Sequence, residues 1–241
     1  MIILALDTAT PATVAAVWSS DGDIAQELRD DPDSRSKPRH TTKLLSLTFQ
    51  ALARAGIGWP EIDRIAVGVG PGTFTGLRIG IATARALAGA REIPLIGVST
   101  LESLALGAAT GGDAVSAGEP VIAVIDARRG EVFAAGWRVG RGERLDEPTI
   151  MPSALEPEAL ARNLDKHPAA LVIGNGAVKF RPILERSGAS IPEDESRLHE
   201  VSALHHCRLA LGAPLGSPEL VRPEYLRLPD AEIALRTAGT T

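Results

Sequence analysis

The chain of 241 residues is 44% hydrophobic and 23% charged, which is typical of a folded globular protein and too apolar for a disordered one. Its formal net charge of −5 excludes a general attraction to nucleic acid, and its single cysteine, Cys207, excludes an internal disulfide and a multi-cysteine metal site. The start has no basic region and no run of about 18 apolar residues occurs, so we expect no signal peptide, no membrane span and a cytoplasmic location.

The N-terminal part predicts alternating strands and helices. IILAL (2–6) is an apolar run that ends at Asp7, typical of a buried strand, and TVAAVWS predicts a second strand after a turn. Residues 29–39 are polar and predict an exposed loop. Then follow a predicted helix at 41–55 that ends at Gly56, a strand at 64–70, a helix at 75–90 and a strand at 93–99. This order favours a right-handed crossover between parallel strands.

The C-terminal part begins after a small, polar stretch, 107–119, which predicts a linker. Beyond it the sequence predicts strands at 121–126 and 132–139, a strand that runs into a glycine turn within 170–176, and a helix at 201–212. Residues 213–241 form a C-terminal tail whose polar end we expect to be disordered. We therefore predict an N-terminal lobe over 1–106, to which the helix at 201–212 can be added, and a C-terminal lobe over 120–200.

Two segments of the chain resemble each other. DTATPATVAAVW begins at Asp7 and DARRGEVFAAGW begins at Asp126, and 4 of their 12 positions are identical. Each opens with an Asp that closes an apolar strand. Chance is the alternative explanation, because the chain is rich in Ala. A true repeat predicts two copies of one hairpin-plus-helices unit, with a ligand cleft between them and both acids pointing into it.

The glycine block VGVGPGTFTGLRIG (67–80) fails two nucleotide motifs. The dinucleotide fingerprint requires a glycine where Thr75 stands, and the P-loop requires a lysine that the block lacks. We interpret the block as a strand-to-helix turn at Gly72, with Thr73 or Thr75 capping the helix. A helix N-terminus preceded by glycines can bind an anion, whereas the alternative is that the glycines let strand and helix pass closely.

The predicted helix at 75–90 is apolar on nearly every side. Its only charges are Arg78 and Arg85, while small and apolar residues form adjoining stripes: Gly76, Gly80, Ala84, Leu77, Ile81 and Ala88. A helix of this kind must be buried nearly all round. We expect one side to pack on the sheet and the other to pack on the helix at 41–55, on a partner subunit, or on both.

The sequence contains no convincing catalytic set. His205, His206 and Cys207 are adjacent, so on a helix they point in different directions and cannot jointly bind a metal. No nucleophile elbow surrounds the serines near residue 100. Asp7 and Asp126, the latter followed by two arginines, could position a metal–nucleotide complex or simply accept hydrogen bonds from turn amides. We therefore predict no catalytic residue and no metal site.

Several motifs together resemble the TsaB family of tRNA threonylcarbamoyladenosine biosynthesis proteins, in the TsaD/TsaB superfamily. They are ILALDTAT, His40 followed by LLSL, the glycine block, PLIGVSTLESLA, VIDARRGEVFAA and RPEYLR, in the family order over nearly the full length. The resemblance implies an α/β fold of the actin/Hsp70-like (ASKHA) type. Such a fold has two ribonuclease-H-like lobes, each with a mixed sheet flanked by helices.

The resemblance also implies a function. Members act as a non-catalytic scaffold and activator in the bacterial complex that adds threonylcarbamoyl to N6 of the adenosine next to the anticodon in tRNAs reading ANN codons. TsaD is the catalytic partner in a heterodimer, TsaE is an ATPase, tRNA is contacted indirectly through the complex, and a homodimer is expected when TsaD is absent. A metal-dependent peptidase or a small-molecule kinase of the same fold is the alternative.

The resemblance finally implies which residues matter. The H-x-x-x-H metal motif of TsaD falls on Thr100 to Leu104, which keeps Glu102 but lacks both histidines, so no cofactor is expected. The implied interface with TsaD comprises His40, Leu44, Leu47, Gly76, Leu77, Gly80, Ile81 and Ala84. A vestigial nucleotide cleft is implied at Asp7, Thr8, Gly72, Thr73, Asp126, Arg128, Gly174 and Gly176. Because DARRG at 126–130 replaces the phosphate-binding turn of the superfamily, nucleotide binding there is at most residual.

Overall fold

The computed structural model describes residues 1–33, 36–110, 115–142, 144–164, 167 and 169–227. Its first half contains β1 (Ile2–Asp7), β2 (Thr13–Ser19), β3 (Ala25–Asp30), α1 (His40–Ala55), β4 (Arg64–Gly70), α2 (Phe74–Arg91), β5 (Leu95–Ser99) and α3 (Thr100–Thr110). Its second half contains β6 (Pro120–Arg128), β7 (Glu131–Arg138), β8 (Ile150–Leu155), α4 (Pro157–Leu164), β9 (Leu171–Ile173), α5 (Asn175–Lys179), α6 (Arg181–Leu184) and α7 (Ala203–Gly212).

The first five strands form one mixed sheet, sheet I, in the order β3-β2-β1-β4-β5. The first three strands are antiparallel neighbours, whereas β4 and β5 are parallel to β1 because each is reached through a helix. The strands are apolar on both faces, since α1 and α2 cover one face and α7 covers the other. Sheet I with these three helices is lobe I.

The last four strands form sheet II, in the order β8-β7-β6-β9. Hairpin β6–β7 corresponds to hairpin β1–β2, and β9 lies parallel to β6 as β4 lies parallel to β1. Helix α3 covers one face of this sheet, and α4, α5 and α6 cover the other. Sheet II with these helices is lobe II. The predicted fold, two mixed sheets of one plan flanked by helices, is confirmed.

Two helices cross between the lobes. Helix α3 follows sheet I along the chain but packs on sheet II, while α7 follows sheet II but packs on sheet I. The two helices also contact each other. The predicted domain boundaries remain a prediction, but this exchange explains why a helix near the C-terminus completes the N-terminal lobe.

Three predicted segments differ from the structure. The first residues of the predicted linker, 107–110, are the last turn of α3 and are largely buried, and 111–114 lie outside the described residues. The predicted exposed loop at 29–39 begins inside β3, an edge strand. Of the predicted tail, residues 214–217 are exposed, the stretch 218–227 contacts the body of the protein, and 228–241 lie outside the described residues.

The helix ends follow their sequence signals closely. Helix α1 ends at Gly56, which adopts the left-handed conformation with φ 68°, as the glycine predicted. Helix α7 begins at Ala203, two residues later than predicted, because the Ser202 side chain caps it by accepting a hydrogen bond from the Leu204 amide. Among the described residues, no helix has the length and apolar character that a membrane-spanning helix needs.

Candidate functional site

Asp7 lies at the carboxyl end of β1 and is fully buried. Its Oδ1 accepts a hydrogen bond from the Ala9 amide at 2.9 Å. Its Oδ2 lies 3.0 Å from Nε2 of His206 on α7 and accepts a bond from the Thr100 hydroxyl at 3.4 Å. The carboxylate therefore points into the junction of β1, α3 and α7. This corrects the expectation that it points into an open cleft.

His206 also contacts Ser103 on α3, which extends the set of hydrogen bonds around Asp7. Nδ1 of His206 lies 2.7 Å from the Ser103 hydroxyl oxygen and 3.1 Å from the Ser202 carbonyl oxygen. Ser103, His206 and Asp7 thus follow one another like the members of a catalytic triad. All three are 0% exposed, so no substrate reaches the serine hydroxyl. We interpret the array as a structural link between the two crossing helices and β1.

A glycine makes room for the buried carboxylate. A Cβ at Gly68 on β4 would overlap the carboxylate of Asp7 and would stand 2.9 Å from Nε2 of His206. Sequence reasoning assigned Gly68 only to the glycine block and considered His206 only with its chain neighbours. The partner of His206 is 199 residues away, and no local spacing could have indicated it.

The second acid, Asp126 on β6, is bound differently. Its Oδ1 accepts a hydrogen bond from the Arg128 amide at 3.0 Å, the same turn contact that Asp7 makes with the amide two residues on. Lys179 of α5 donates to the same oxygen at 2.9 Å, and the Arg128 guanidinium lies 3.7 Å from Oδ2. The predicted alternative, in which both acids accept turn amides, is therefore confirmed.

The other residues of the predicted cleft in lobe I make local packing contacts. The Thr8 hydroxyl donates to the Gly76 carbonyl oxygen at 2.7 Å, and Gly72 lies so close to Ala9 that a Cβ would overlap the Ala9 backbone. Thr73 is the N-cap residue of α2, one of the two predicted positions, but its side chain makes no capping hydrogen bond, which corrects the proposed cap. These residues hold the first helix turn of α2 against the β1–β2 turn.

The two predicted glycines of lobe II lie against β6. Gly174 has φ 106°, and a Cβ there would overlap the Val124 carbonyl oxygen, while a Cβ at Gly176 would stand 2.9 Å from the Ile125 carbonyl carbon. Both positions thus need glycine for a close approach of two backbones.

A small cavity lies between the lobes. Its volume is about 210 Å³, and it is lined by Thr10, Pro11, Ala12, Arg29, Asp31, Pro32, Leu104, Ile125, Asn175, His199, Glu200 and Val201. None of the eight residues of the predicted nucleotide cleft lines it. The volume is also below the ~300 Å³ at which ordinary small-molecule sites begin. Nucleotide binding at these residues stays a prediction.

The positions that match the metal motif of TsaD carry no metal ligands. Thr100 binds Asp7, and Leu104 is buried in the core of lobe II. Glu102 lines a separate surface cavity, and burial raises the pKa of its carboxyl. Among the residues that the structure describes, no group of three or more His, Cys, Asp or Glu could hold a metal ion.

The neighbours of His206 on α7 are buried in different directions. Cys207 is fully buried and its thiol donates to the Ile3 carbonyl oxygen at 3.4 Å, while burial raises the thiol pKa well above its usual value. Burial, and then the charge of Arg208, lowers the pKa of His205 to about 4. A buried thiol is a poor nucleophile because the thiolate is the reactive form.

The residues predicted for the partner interface are all buried within the chain. They are His40, Leu44, Leu47, Gly76, Leu77, Gly80, Ile81 and Ala84. A Cβ at Gly76 or Gly80 would overlap Thr8, so the small-residue stripe of α2 packs on the β1–β2 turn. This is a correction, because these side chains fill lobe I and do not form a surface of the isolated chain.

The opposite side of the same helices is open. On α1, Leu45 is 46% exposed and Phe49 is 50% exposed, one helical turn apart, and on α2 Ala82 and Ala86 are exposed at the same spacing. Because both helices cover one face of sheet I, these four residues share a surface, named here the α1/α2 outer face. Phe49 contacts Trp59 edge-on, with ring centroids 5.9 Å apart.

Comparison with known proteins gives one consistent result. Residues 33–171 match the family model described as TsaD, tRNA N6-adenosine threonylcarbamoyltransferase. The chain is 32% identical over 235 residues to the Escherichia coli (strain K12) protein named tRNA threonylcarbamoyladenosine biosynthesis protein TsaB, covering 94% of this chain and 95% of that protein. The chain belongs to the TsaB family.

Solved structures agree with membership of the TsaB family. The structure named YeaZ from Pseudomonas aeruginosa is 28% identical, with a TM-score of 0.76 over 93% of this chain and 99% of that chain. The ROK hexokinase from Thermus thermophilus is 13% identical, with a TM-score of 0.51 over 88% of this chain and 99% of that chain, and it shares the fold alone. These likenesses confirm the ASKHA fold that the motifs implied.

In this TsaB-family chain, the residues that match the family model include neither partner of the buried Asp7–His206 contact. The match spans α1 to the beginning of β9, and so it includes the glycine block, α2, α3 and hairpin β6–β7. Asp7 precedes the matched range and His206 follows it. The Asp7–His206 contact therefore joins the two flanks of the matched region through the three-dimensional fold.

Proposed function

We propose that this chain is a non-catalytic scaffold and activator in bacterial tRNA threonylcarbamoyladenosine biosynthesis. It works in the cytoplasm with a TsaD-type transferase as catalytic partner and a TsaE-type ATPase, and it meets tRNA indirectly through the complex. The observation that carries the proposal is the 32% identity, over 94% of the chain, to a protein named for that biosynthesis. No cofactor is assigned to the chain in this role.

The missing metal ligands and the burial of the residues around Asp7 support a non-catalytic role. The two histidines of the TsaD metal motif are replaced by Thr100 and Leu104, which cannot serve as a pair of imidazole ligands. Ser103, His206 and Asp7 are arranged like a triad but are closed to solvent. Chemistry on a tRNA adenosine needs an open site, so we assign the transfer step to the partner.

The α1/α2 outer face supports a partner role. Single exposed apolar residues are ordinary on any protein, but Leu45 and Phe49 are neighbours on one helix and stand beside the exposed alanines of α2. Phe49 is a half-exposed aromatic side chain, and aromatic residues are enriched at the centres of protein interfaces. We propose this face as the site of the TsaD-type partner, or of a second copy when that partner is absent.

Copurification tests the proposed face. Phe49→Asp places a charge at its centre, and we expect the affinity for the TsaD-type partner from the same host to fall at least about tenfold, as at a hot spot. Met151→Asp is the matched control, because Met151 is 68% exposed on β8 of lobe II, and it should bind like the wild type. Equal binding of both variants would place the partner elsewhere.

An activity assay tests the functional role itself. Threonylcarbamoyl transfer to tRNA by the TsaD-type partner is measured with the chain present, absent and replaced by Phe49→Asp. We expect strong dependence on the wild-type chain and loss with the variant. Transfer that proceeds equally without the chain would refute the activator role, whereas a peptidase or kinase would be revealed by bound metal or ATP turnover of the chain alone.

A further inference from the structure

The motif RPEYLR at 222–227 belongs to the resemblance but has no part in the proposed partner face or at the buried acids. It lies in the segment that leaves α7 and runs over the body, with a short 3-10 turn at Pro218–Leu220. Residues 217–227 are named here the C-terminal strap. The strap contacts both lobes, and each set of contacts is specific.

The first part of the strap is attached to lobe I. Nη2 of Arg85 on α2 donates to the Glu219 carbonyl oxygen at 3.0 Å and to the Val221 carbonyl oxygen. Val221 packs against the core beneath α1 and α2. The Glu224 amide donates to the Val69 carbonyl oxygen of β4 at 2.7 Å. These four contacts hold the strap along α2 and the end of β4.

Tyr225 attaches the strap to the first turns of α2. Its ring stacks on Phe74, with centroids 5.2 Å apart and an angle of 29° between the planes. Its hydroxyl accepts a hydrogen bond from Nε of Arg78 at 3.1 Å, and the Arg78 guanidinium lies 3.7 Å from the Phe74 ring centroid. The two arginines that are the only charges of α2 before its last turn therefore both hold the strap.

The next residues attach to lobe II. Leu226 packs against the core beneath sheet II. Nη1 of Arg227 donates to the Ala127 carbonyl oxygen at 3.1 Å and to Oε2 of Glu131 at 2.7 Å, on the two strands of hairpin β6–β7. Tyr225 and Arg227 are two residues apart, so the chain between them spans at most about 7 Å. The attachments to the two lobes are therefore adjacent along the chain.

We propose that the C-terminal strap couples α2 to hairpin β6–β7, so that a change at α2 alters the stability of the hairpin in lobe II and the reverse. The physical basis is that both ends of a short connection are held by side chains, at Tyr225 on lobe I and at Arg227 on lobe II, so that displacement of one end acts on the other. Coupling between two sites is reciprocal, which gives the proposal a two-way test. The proposal does not depend on the identity of any partner.

Amide hydrogen exchange of the full chain tests the coupling. Arg227→Ala removes the Arg227 hydrogen bonds to hairpin β6–β7 and leaves the Leu226 contact in place. We expect exchange to rise about two- to fivefold both in the hairpin and in the first turns of α2, the range for loss of one exposed ion pair. Glu131→Gln removes the same ion pair from the lobe II side and should reproduce both effects. Arg222→Ala is the matched control, because Arg222 is exposed on the same strap and has no described ion pair.

A variant on α2 tests the coupling in the opposite direction. Arg78→Ala on α2 should raise exchange in hairpin β6–β7 by a similar factor, although neither strand of the hairpin touches Arg78 in any described hydrogen bond. Changes confined to the hairpin in Arg227→Ala and Glu131→Gln, or hairpin exchange at the wild-type rate in Arg78→Ala, would overturn the coupling. The strap would then be a local packing element of each lobe.

Discussion

Replacing His206 by leucine tests the buried contact on which α3, α7 and β1 meet. Leucine keeps an apolar side chain of similar bulk on α7 but has no group to bond Asp7 Oδ2, which the imidazole contacts at 3.0 Å. The carboxylate then keeps the Ala9 amide and the long 3.4 Å contact with Thr100 as its described partners. The variant therefore leaves a fully buried carboxylate short of a hydrogen-bond donor.

The magnitude follows from the burial of both side chains, which are 0% exposed. Removing one member of a buried polar pair costs about 3–5 kcal/mol, because the other member stays desolvated. Urea unfolding measures the free energy of unfolding. With a denaturant slope of about 2–3 kcal/mol per M, the midpoint should fall by roughly 1–2.5 M. The double variant with Asp7→Leu should regain part of this loss, because it removes the stranded carboxylate as well.

The neighbouring histidine supplies the control. His205→Leu is the same substitution on the same helix, but the described residues leave Nδ1 of His205 buried without a hydrogen-bond partner, and Nε2 lies 3.2 Å from the Thr110 hydroxyl. We expect a change within about 1 kcal/mol, since a buried unsatisfied atom is removed along with one weak bond. A His206→Leu cost no larger than the His205→Leu cost would refute the assignment of His206 as the partner that stabilises Asp7.

Two further predictions use the same unfolding assay. Gly80→Ala should destabilise the isolated chain by about 1–3 kcal/mol, because the new Cβ would overlap the Thr8 hydroxyl. The control Ala86→Gly, on the exposed side of α2, should cost only about 1 kcal/mol, through the lower helix propensity of glycine. The pKa of His205 is lowered to about 4 in the folded protein, so between pH 4 and 6.5 the folded state binds fewer protons than the unfolded state. The contribution of His205 to stability is therefore fully present above its unfolded pKa of about 6.5 and is lost as the pH falls towards 4. The stability of His205→Gln should accordingly depend less on pH than that of the wild type between pH 4 and 6.5, and parallel curves would contradict the shift.

The sequence predicted those parts of the fold that local patterns determine. Helix α1 was predicted from an apolar stripe and a glycine stop, and both are found in the structure. The repeated Asp turns predicted two lobes of one plan, because a strand-end Asp that binds the amide two residues on is a short-range feature. By contrast, β3 reads AQELRD and is half-buried at a sheet edge, so it shows no alternation of apolar and polar residues.

The interface residues show what local patterns cannot provide. The small-residue stripe of α2 was interpreted as a surface that accepts another backbone, and it does accept one, but that backbone is the chain's own β1–β2 turn. Periodicity identifies the face of a helix that must be buried, whereas it does not identify what buries it. Leu45 was predicted as part of the apolar stripe of α1 and is instead 46% exposed, whereas Phe49 was missed because it lies between the core positions that the periodicity selects.

Each of the two strand-end acids has a side-chain partner within the fold. Asp7 is bound by His206 and Asp126 by Lys179, and both partners belong to this chain. A magnesium–nucleotide complex at either acid would have to displace a contact that already satisfies the carboxylate. At Asp7 it would also have to separate α7 from β1, because the contact is fully buried. Internal partners of this kind favour a chain that acts through its surfaces, which agrees with the proposed scaffold role.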